Sequence, residues 1–124
     1  MARRKVAFRA KALTIACTDL ARTEAFYRTV LGAAPDPRDG QGCPWFRLGS
    51  LSVTLMPNAT ERSPAAFPTH AMTILWLEVD DLEAAHARFV RHGVEIIQPS
   101  DGTFMIVADP DGLLIEVWQA EPED

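Results

Sequence analysis

The side chains with most chemistry to offer in this chain are three histidines, two cysteines and one oddly placed carboxylate. Glu116 lies in "LLIEVW", among Leu114, Ile115, Val117 and Trp118, and a charge in such company is costly unless a metal, a ligand or water pairs with it. The histidines offer it little. His86 and His92 fall on one helical stretch six residues apart, about 600° of rotation, which puts them on different faces. His86 follows the stripe of Leu82, Ala85 and Phe89, and His92 suits the last turn, where the helix dipole favours positive charge. His70 precedes a strand, so only a bent strand or a slipped register would carry it towards Glu116; the simpler expectation is a loop histidine in water. Cys17 and Cys43 lack CxxC spacing and a nearby histidine, and read as buried or spare thiols rather than a disulfide, catalytic or metal pair. No Ser, His and Asp arrangement for nucleophilic catalysis is recognisable.

Composition narrows the classes further. With 124 residues, 48% of them hydrophobic, the chain suffices for one domain with a real core and is too short for two. The net charge of −5 hides an asymmetry: five of the twelve basic residues stand at or before position 11, leaving seven against seventeen acidic residues beyond it. An acidic body repels nucleic acid and anionic membrane and favours cationic or polar ligands. No apolar run is long enough to cross a bilayer and no signal-peptide pattern opens the chain, so a cytoplasmic protein is expected.

The elements that must position Glu116 follow from periodicity. "KALTIAC" reads as a strand and "TDLARTEAFYRTVLG" as a helix ending at Gly32. After a connection rich in Pro, Asp and Gly, "PWFRLG" and "LSVTLM" form a hairpin through Gly49 and Ser50. "PNATERSPAAFPTH" then reads as a linker. The order repeats with the strand "MTILWLEV", a helix opened by Asp80 in a capping box with Glu83 and stopped by Gly93, and the strands "VEIIQ", "TFMIVA" and "LLIEVW". "DPDG" joins the last two as a tight turn. Asp19 and Asp81, Leu20 and Leu82, and Tyr27 and Phe89 all stand 62 apart, the mark of two similar modules. The division expected is a basic tail over 1–10, a domain over 11–119 (modules at about 11–57 and 71–119, joined by a linker at about 57–70), and an acidic tail over 120–124.

"DLARTEAFYRTVLG", "LEVDDLEAAHARFVRHG" and "VADPDGLLIEVW", in that order, resemble the vicinal oxygen chelate superfamily, which includes glyoxalase I, extradiol dioxygenases, fosfomycin resistance enzymes and bleomycin resistance proteins. The resemblance implies an α+β fold in which two βαβββ modules form a cupped mixed sheet, completed by dimerisation. It also implies four places for metal ligands, one in the first and one in the last strand of each module. Here they are Ala12, Thr54, Ile74 and Glu116. A methyl, a sec-butyl group and a neutral hydroxyl are not ordinary ligands, so no metal and no other cofactor is expected.

Strand alternation puts Leu114 and Trp118 on the face of Glu116, and Met72 and Trp76 on that of Ile74. Ala12, Thr14 and Thr54 join them by the same parity. These nine residues make a candidate ligand pocket, with both tryptophans as aromatic walls and Glu116 as the acid. The function expected is a metal-independent homodimer that binds a small molecule, sequestering an aromatic or cationic natural product as bleomycin resistance proteins do. The alternative is a glyoxalase- or dioxygenase-like enzyme using Glu116 as metal ligand or general base. Neither nucleic acid nor membrane is an expected partner.

Overall fold

The structure, a computed structural model describing residues 6–69 and 71–122, is built from two successive βαβββ modules. The first runs β1 (Leu13–Ala16), α1 (Leu20–Ala25), β2 (Ala34–Asp36), β3 (Trp45–Leu48) and β4 (Leu51–Met56). The second runs β5 (Ile74–Val79), α2 (Leu82–Arg91), β6 (Glu95–Gln98), β7 (Phe104–Ala108) and β8 (Leu114–Gln119). Each makes a four-stranded mixed sheet, ordered β1-β4-β3-β2 and β5-β8-β7-β6. The first strand of each module pairs in parallel with the last, and the remaining pairs are antiparallel. The 62-residue offset read in the sequence is therefore a repeat of structure.

Both helices begin on an aspartate. Asp19 accepts from the Arg22 amide at 3.1 Å, and Asp81 from the Ala84 amide at 3.0 Å. The second cap corrects the expected capping box, since Asp81 rather than Asp80 opens α2. Asp81 has the extended backbone of a cap, φ −140° and ψ 99°, whereas the Asp80 carbonyl accepts from the Gln119 amide group at 2.7 Å. Glu83 lies one residue short of the boxed position and only adds negative charge to the first turn. Helix α1 widens into a π-helical turn over Phe26–Val30, where the Leu31 amide reaches back to the Phe26 carbonyl, a wider spacing that buries Phe26, Tyr27 and Val30 together.

Strand β2 also departs from expectation, since "APD" had read as part of a connection. Its partner β3 supplies the pairing, and Pro35, which lacks an N–H, is tolerated because β2 is an edge strand. The core fills the side of the sheets that carries the helices. Ile15, Tyr27, Phe46, Leu55, Leu82, Phe89, Met105 and Val117 belong to one cluster drawing on both modules. Alternation sends the intervening side chains to an open face. A smaller cluster of Ile106, Ala108 and Leu114 forms on that face in the second module, packed with Ala65, Ala71 and Ile74.

Candidate functional site

Two conspicuous groups of residues surround "DPDG", and only one faces a potential ligand. In the turn itself Asp109 and Asp111 are buried, at 1% and 7% exposure. Asp109 accepts from the amides of Asp111 and Leu113, both at 2.9 Å, and from the Tyr27 hydroxyl at 2.9 Å. Asp111 accepts from the Thr18 amide at 3.1 Å, the Thr18 hydroxyl at 2.6 Å and the Thr23 hydroxyl at 3.2 Å. A turn of the second module thereby grips the start of the first helix. Its acids are committed to the fold, a role that their sequence, read only as a turn, did not convey.

Burial pushes the Asp109 carboxyl above the ordinary aspartate range, against the opposing pull of the amides and hydroxyl that donate to it. Burial, and then the neighbouring Asp109, likewise raise the Tyr27 hydroxyl well above the usual tyrosine value. Because the folded state holds the Asp109 proton more tightly than the unfolded chain, this group contributes most to stability at low pH. That contribution declines as pH rises from about 4 through the raised value. Asp109→Asn should flatten this part of the pH dependence, checked by urea midpoints of wild type and variant between pH 4 and 8. Parallel profiles would show that Asp109 does not titrate in this window.

The second group is an aromatic column on the open face of the second sheet. Phe104 on β7 stacks on Trp118 of β8 at 4.4 Å and 12° between rings, and Trp118 stacks on Trp76 of β5 at 4.9 Å and 19°. Offset stacking at these distances is favourable in its own right. Phe104 was not foreseen, although counting back across the turn pairs it with Trp118, as the register confirms. Glu116 sits opposite Trp76 in the β5–β8 register and accepts from the Trp118 indole N–H at 2.8 Å. Its cost among apolar neighbours is thus offset by a charge-assisted bond and partial exposure to water.

The column corrects the expectation of two tryptophan walls. Trp118 is covered from the strands on either side of it, so its ring faces serve the stack. Trp76, on the edge strand, is 62% exposed. It lines a groove of about 690 Å³ that runs between β5 and the β3–β4 turn, with Arg47, Leu48 and Ser50 across from Trp76 and Glu78. A ligand that stacks here meets Trp76.

The other expected residues separate. Ile74 and Leu114 belong to the cluster containing Ala65 and Ala71, and Leu114 is 1% exposed; it is packed rather than presented. Thr54 is buried, its hydroxyl donating to the Pro44 carbonyl at 2.8 Å. Thr14, Met72 and Leu114 line a smaller groove of about 370 Å³ beside the "DPDG" turn. Ala12 and Met72 are exposed. His70 lies outside the described residues.

The four places implied for a metal do not form a ligand set. Ala12 and Ile74 carry no side-chain donor atom and Thr54 spends its hydroxyl proton on Pro44, which leaves Glu116 as the one carboxylate of the four, with only its Oε1 taken by Trp118. Among the described residues no three His, Cys, Asp or Glu side chains are grouped to hold an ion. Cys17 is buried, and burial together with Asp111, Asp109 and Asp19 raises its thiol pKa, the reverse of what a thiolate ligand or nucleophile requires.

Solved structures share this architecture. An integron cassette protein from Vibrio cholerae is 26% identical, with 96% of this chain and 99% of that one covered and a TM-score of 0.69. The fosfomycin resistance protein FosX from Mesorhizobium loti is 16% identical over 94% and 95% of the two chains, with a TM-score of 0.70. A lactoylglutathione lyase from Agrobacterium tumefaciens is 22% identical over 90% and 93%, with a TM-score of 0.62. Comparison with curated protein sequences gives no match. The family model for the Glyoxalase/Bleomycin resistance protein/Dioxygenase superfamily matches residues 9–117, and with both modules inside that span, the chain belongs to this superfamily.

Proposed function

We propose that this protein binds a small, planar, aromatic or cationic molecule without a metal, in the manner of a sequestering resistance protein, and acts in the cytoplasm as a homodimer. The observation that carries the reading is the column Phe104–Trp118–Trp76, which ends on an exposed indole beside a groove of about 690 Å³. That volume is in the range of small-molecule sites. Glu116 and Glu78 put negative charge next to the indole, which suits a cationic ring. Lack of a ligand set at Ala12, Thr54, Ile74 and Glu116 supports a binding protein over a metal-dependent lyase or dioxygenase. The bond from Trp118 occupies one oxygen of Glu116 and leaves the other free, so the general-base alternative is tested by whether Glu116→Gln abolishes turnover of a candidate substrate or only weakens binding.

Binding is tested by fluorescence titration with planar aromatic dyes and antibiotics, matched as cationic and neutral pairs. Trp76→Leu should weaken a ligand by about threefold to tenfold, the scale of one aromatic contact. Trp118→Leu should also weaken it, by withdrawing the support behind Trp76. Glu116→Gln should weaken a cation more than its neutral analogue, with added salt narrowing the gap. A tight ligand indifferent to Trp76 and Glu116 would place the site elsewhere.

Metal independence makes a separate prediction. Elemental analysis of protein purified without chelator should find no stoichiometric divalent ion, and dialysis against a chelator should leave ligand affinity unchanged. One equivalent of metal per chain, lost in Glu116→Gln, would instead favour the enzyme.

A further inference from the structure

The groove beside Trp76 carries charge of both signs, and that mixture selects among the molecules the indole could hold. Glu78 and Asp81 line it together with Arg47 and Arg88. Alternation on β5 puts Glu78 on the same side of the strand as Trp76, about 7 Å along it. Helix α2 shows the groove Asp81, Ala84, Ala85 and Arg88, because seven residues return to nearly the same helix face about 10 Å further on. That face reads acid, two methyls, base. The small side chains leave space in which a molecule can lie between the charges.

These charges are available to a ligand. Glu78 and Arg88 are exposed, and neither forms an ion pair among the described residues. Asp81 accepts the Ala84 amide on Oδ1 and keeps its second oxygen. Arg88 donates one η nitrogen to the Val30 carbonyl at 3.4 Å, a long bond that leaves most of its fork open. Arg47 spends its Nε on Asp36 at 3.1 Å, and its two η nitrogens have no hydrogen bond among the described residues. The strand partner of Arg47 is Ala34, four residues after Val30. Both arginines therefore stand beside the connection from α1 to β2, whereas Glu78 and Asp81 stand where β5 runs into α2.

A purely cationic occupant satisfies the acids and is repelled by the arginines, and a neutral ring leaves both signs unpaired. We infer that the ligand of this groove is an aromatic zwitterion, with its planar ring on Trp76, its cationic nitrogen at Glu78 and Asp81, and a carboxylate held by Arg88 and Arg47. The planar fork of arginine matches a carboxylate. A separation of about 10 Å along α2 further requires the two ligand charges to stand several bonds apart, unlike the adjacent ammonium and carboxylate of an α-amino acid. This inference rests on the Trp76 site proposed above and narrows its ligand class.

The experiment titrates the full chain, by fluorescence anisotropy, with two forms of one planar dye. The first is a rhodamine with a free benzoate, a zwitterion whose charges are several bonds apart; the second is its methyl ester, a cation with the same rings. Wild type should bind the acid about threefold to tenfold more tightly than the ester, the scale of a partly exposed charge-assisted contact, and salt should narrow the ratio. Arg88→Gln and Arg47→Gln should each lower affinity for the acid towards that for the ester, and Arg88→Glu should reverse the preference. Glu78→Gln and Trp76→Leu should weaken both dyes. Both arginines are exposed, so their variants should keep the fold, checked by urea midpoints. Equal affinity for acid and ester in wild type, with both dependent on Trp76, would overturn the zwitterion and leave the Trp76 site standing. A preference for the acid that survives all three arginine variants would also overturn it. Failure of either dye to bind in a Trp76-dependent way would overturn the zwitterion together with the site.

Discussion

Gly112→Ala is expected to be the most damaging single methyl that can be added to this protein. Gly112 closes the "DPDG" turn at φ +95°, and a Cβ built there would stand 2.1 Å from the Ser63 carbonyl oxygen. That oxygen is backbone and cannot swing aside as a side-chain tip would. The chain around Ser63 is held to the same turn by the bond from its amide to the Asp111 carbonyl at 2.8 Å, and Arg62 next to it reaches both the Pro110 carbonyl and Glu95. The alanine must therefore either distort the turn or lift the linker from it. Left-handed backbone costs an L residue about 1–2 kcal/mol, and the lost contacts add to this, so a total of about 3–5 kcal/mol is expected. Urea unfolding measures it, with Gly40→Ala as the control, since a Cβ there meets nothing and needs no left-handed backbone. Equal midpoints for the two variants would mean that the linker does not lie on the turn in solution.

Asp111→Ala should rank next, at about 2–4 kcal/mol, because it strands buried donors instead of merely deleting a bond. The Thr23 hydroxyl, on a fully buried residue, would lose its acceptor, and the Thr18 amide and hydroxyl would lose theirs. An exposed pair gives the scale for comparison. Asp36→Ala breaks the bridge to Arg47, which is open to water, and should cost less than about 1 kcal/mol. In the double variant Asp111→Ala with Thr23→Val, part of the loss should return, since the orphaned hydroxyl is removed with its partner. If Asp111→Ala and Asp36→Ala destabilise equally, the turn does not clamp α1. Losses of this size are a large share of a domain's stability, typically about 5–15 kcal/mol.

Much of this architecture was legible because it is written in local patterns. The period-two runs became β3 to β8 within a residue or two, and the shared spacing of "DLARTEAFYRTVLG" and "DDLEAAHARFVRHG" became α1 and α2 in equivalent places. The parity that joined Trp76, Glu116 and Trp118 on one face held because a pleated strand admits only two faces. Strand β2 was not legible, since "APD" has no strand propensity and acquires its shape from β3. The opening of α2 was misplaced by one residue because two adjacent aspartates are equivalent in sequence, and only the backbone at Asp81 distinguishes them.

The candidate site divides along the same line. From sequence alone come the two modules, a poor metal-ligand set, and an aromatic and acidic face in the second sheet. Only the tertiary structure decided that the two tryptophans stack on each other with Phe104, leaving Trp76 as the exposed ring, and that Leu114 and Thr54 are enclosed. Only it assigned Asp109 and Asp111 to Tyr27, Thr18 and Thr23, more than 80 residues away in the chain. The physical reason is that periodicity reports which side of an element a residue occupies. What lies against that side is set by how distant segments pack, where burial and unpaired polar groups cost more than any local preference can supply.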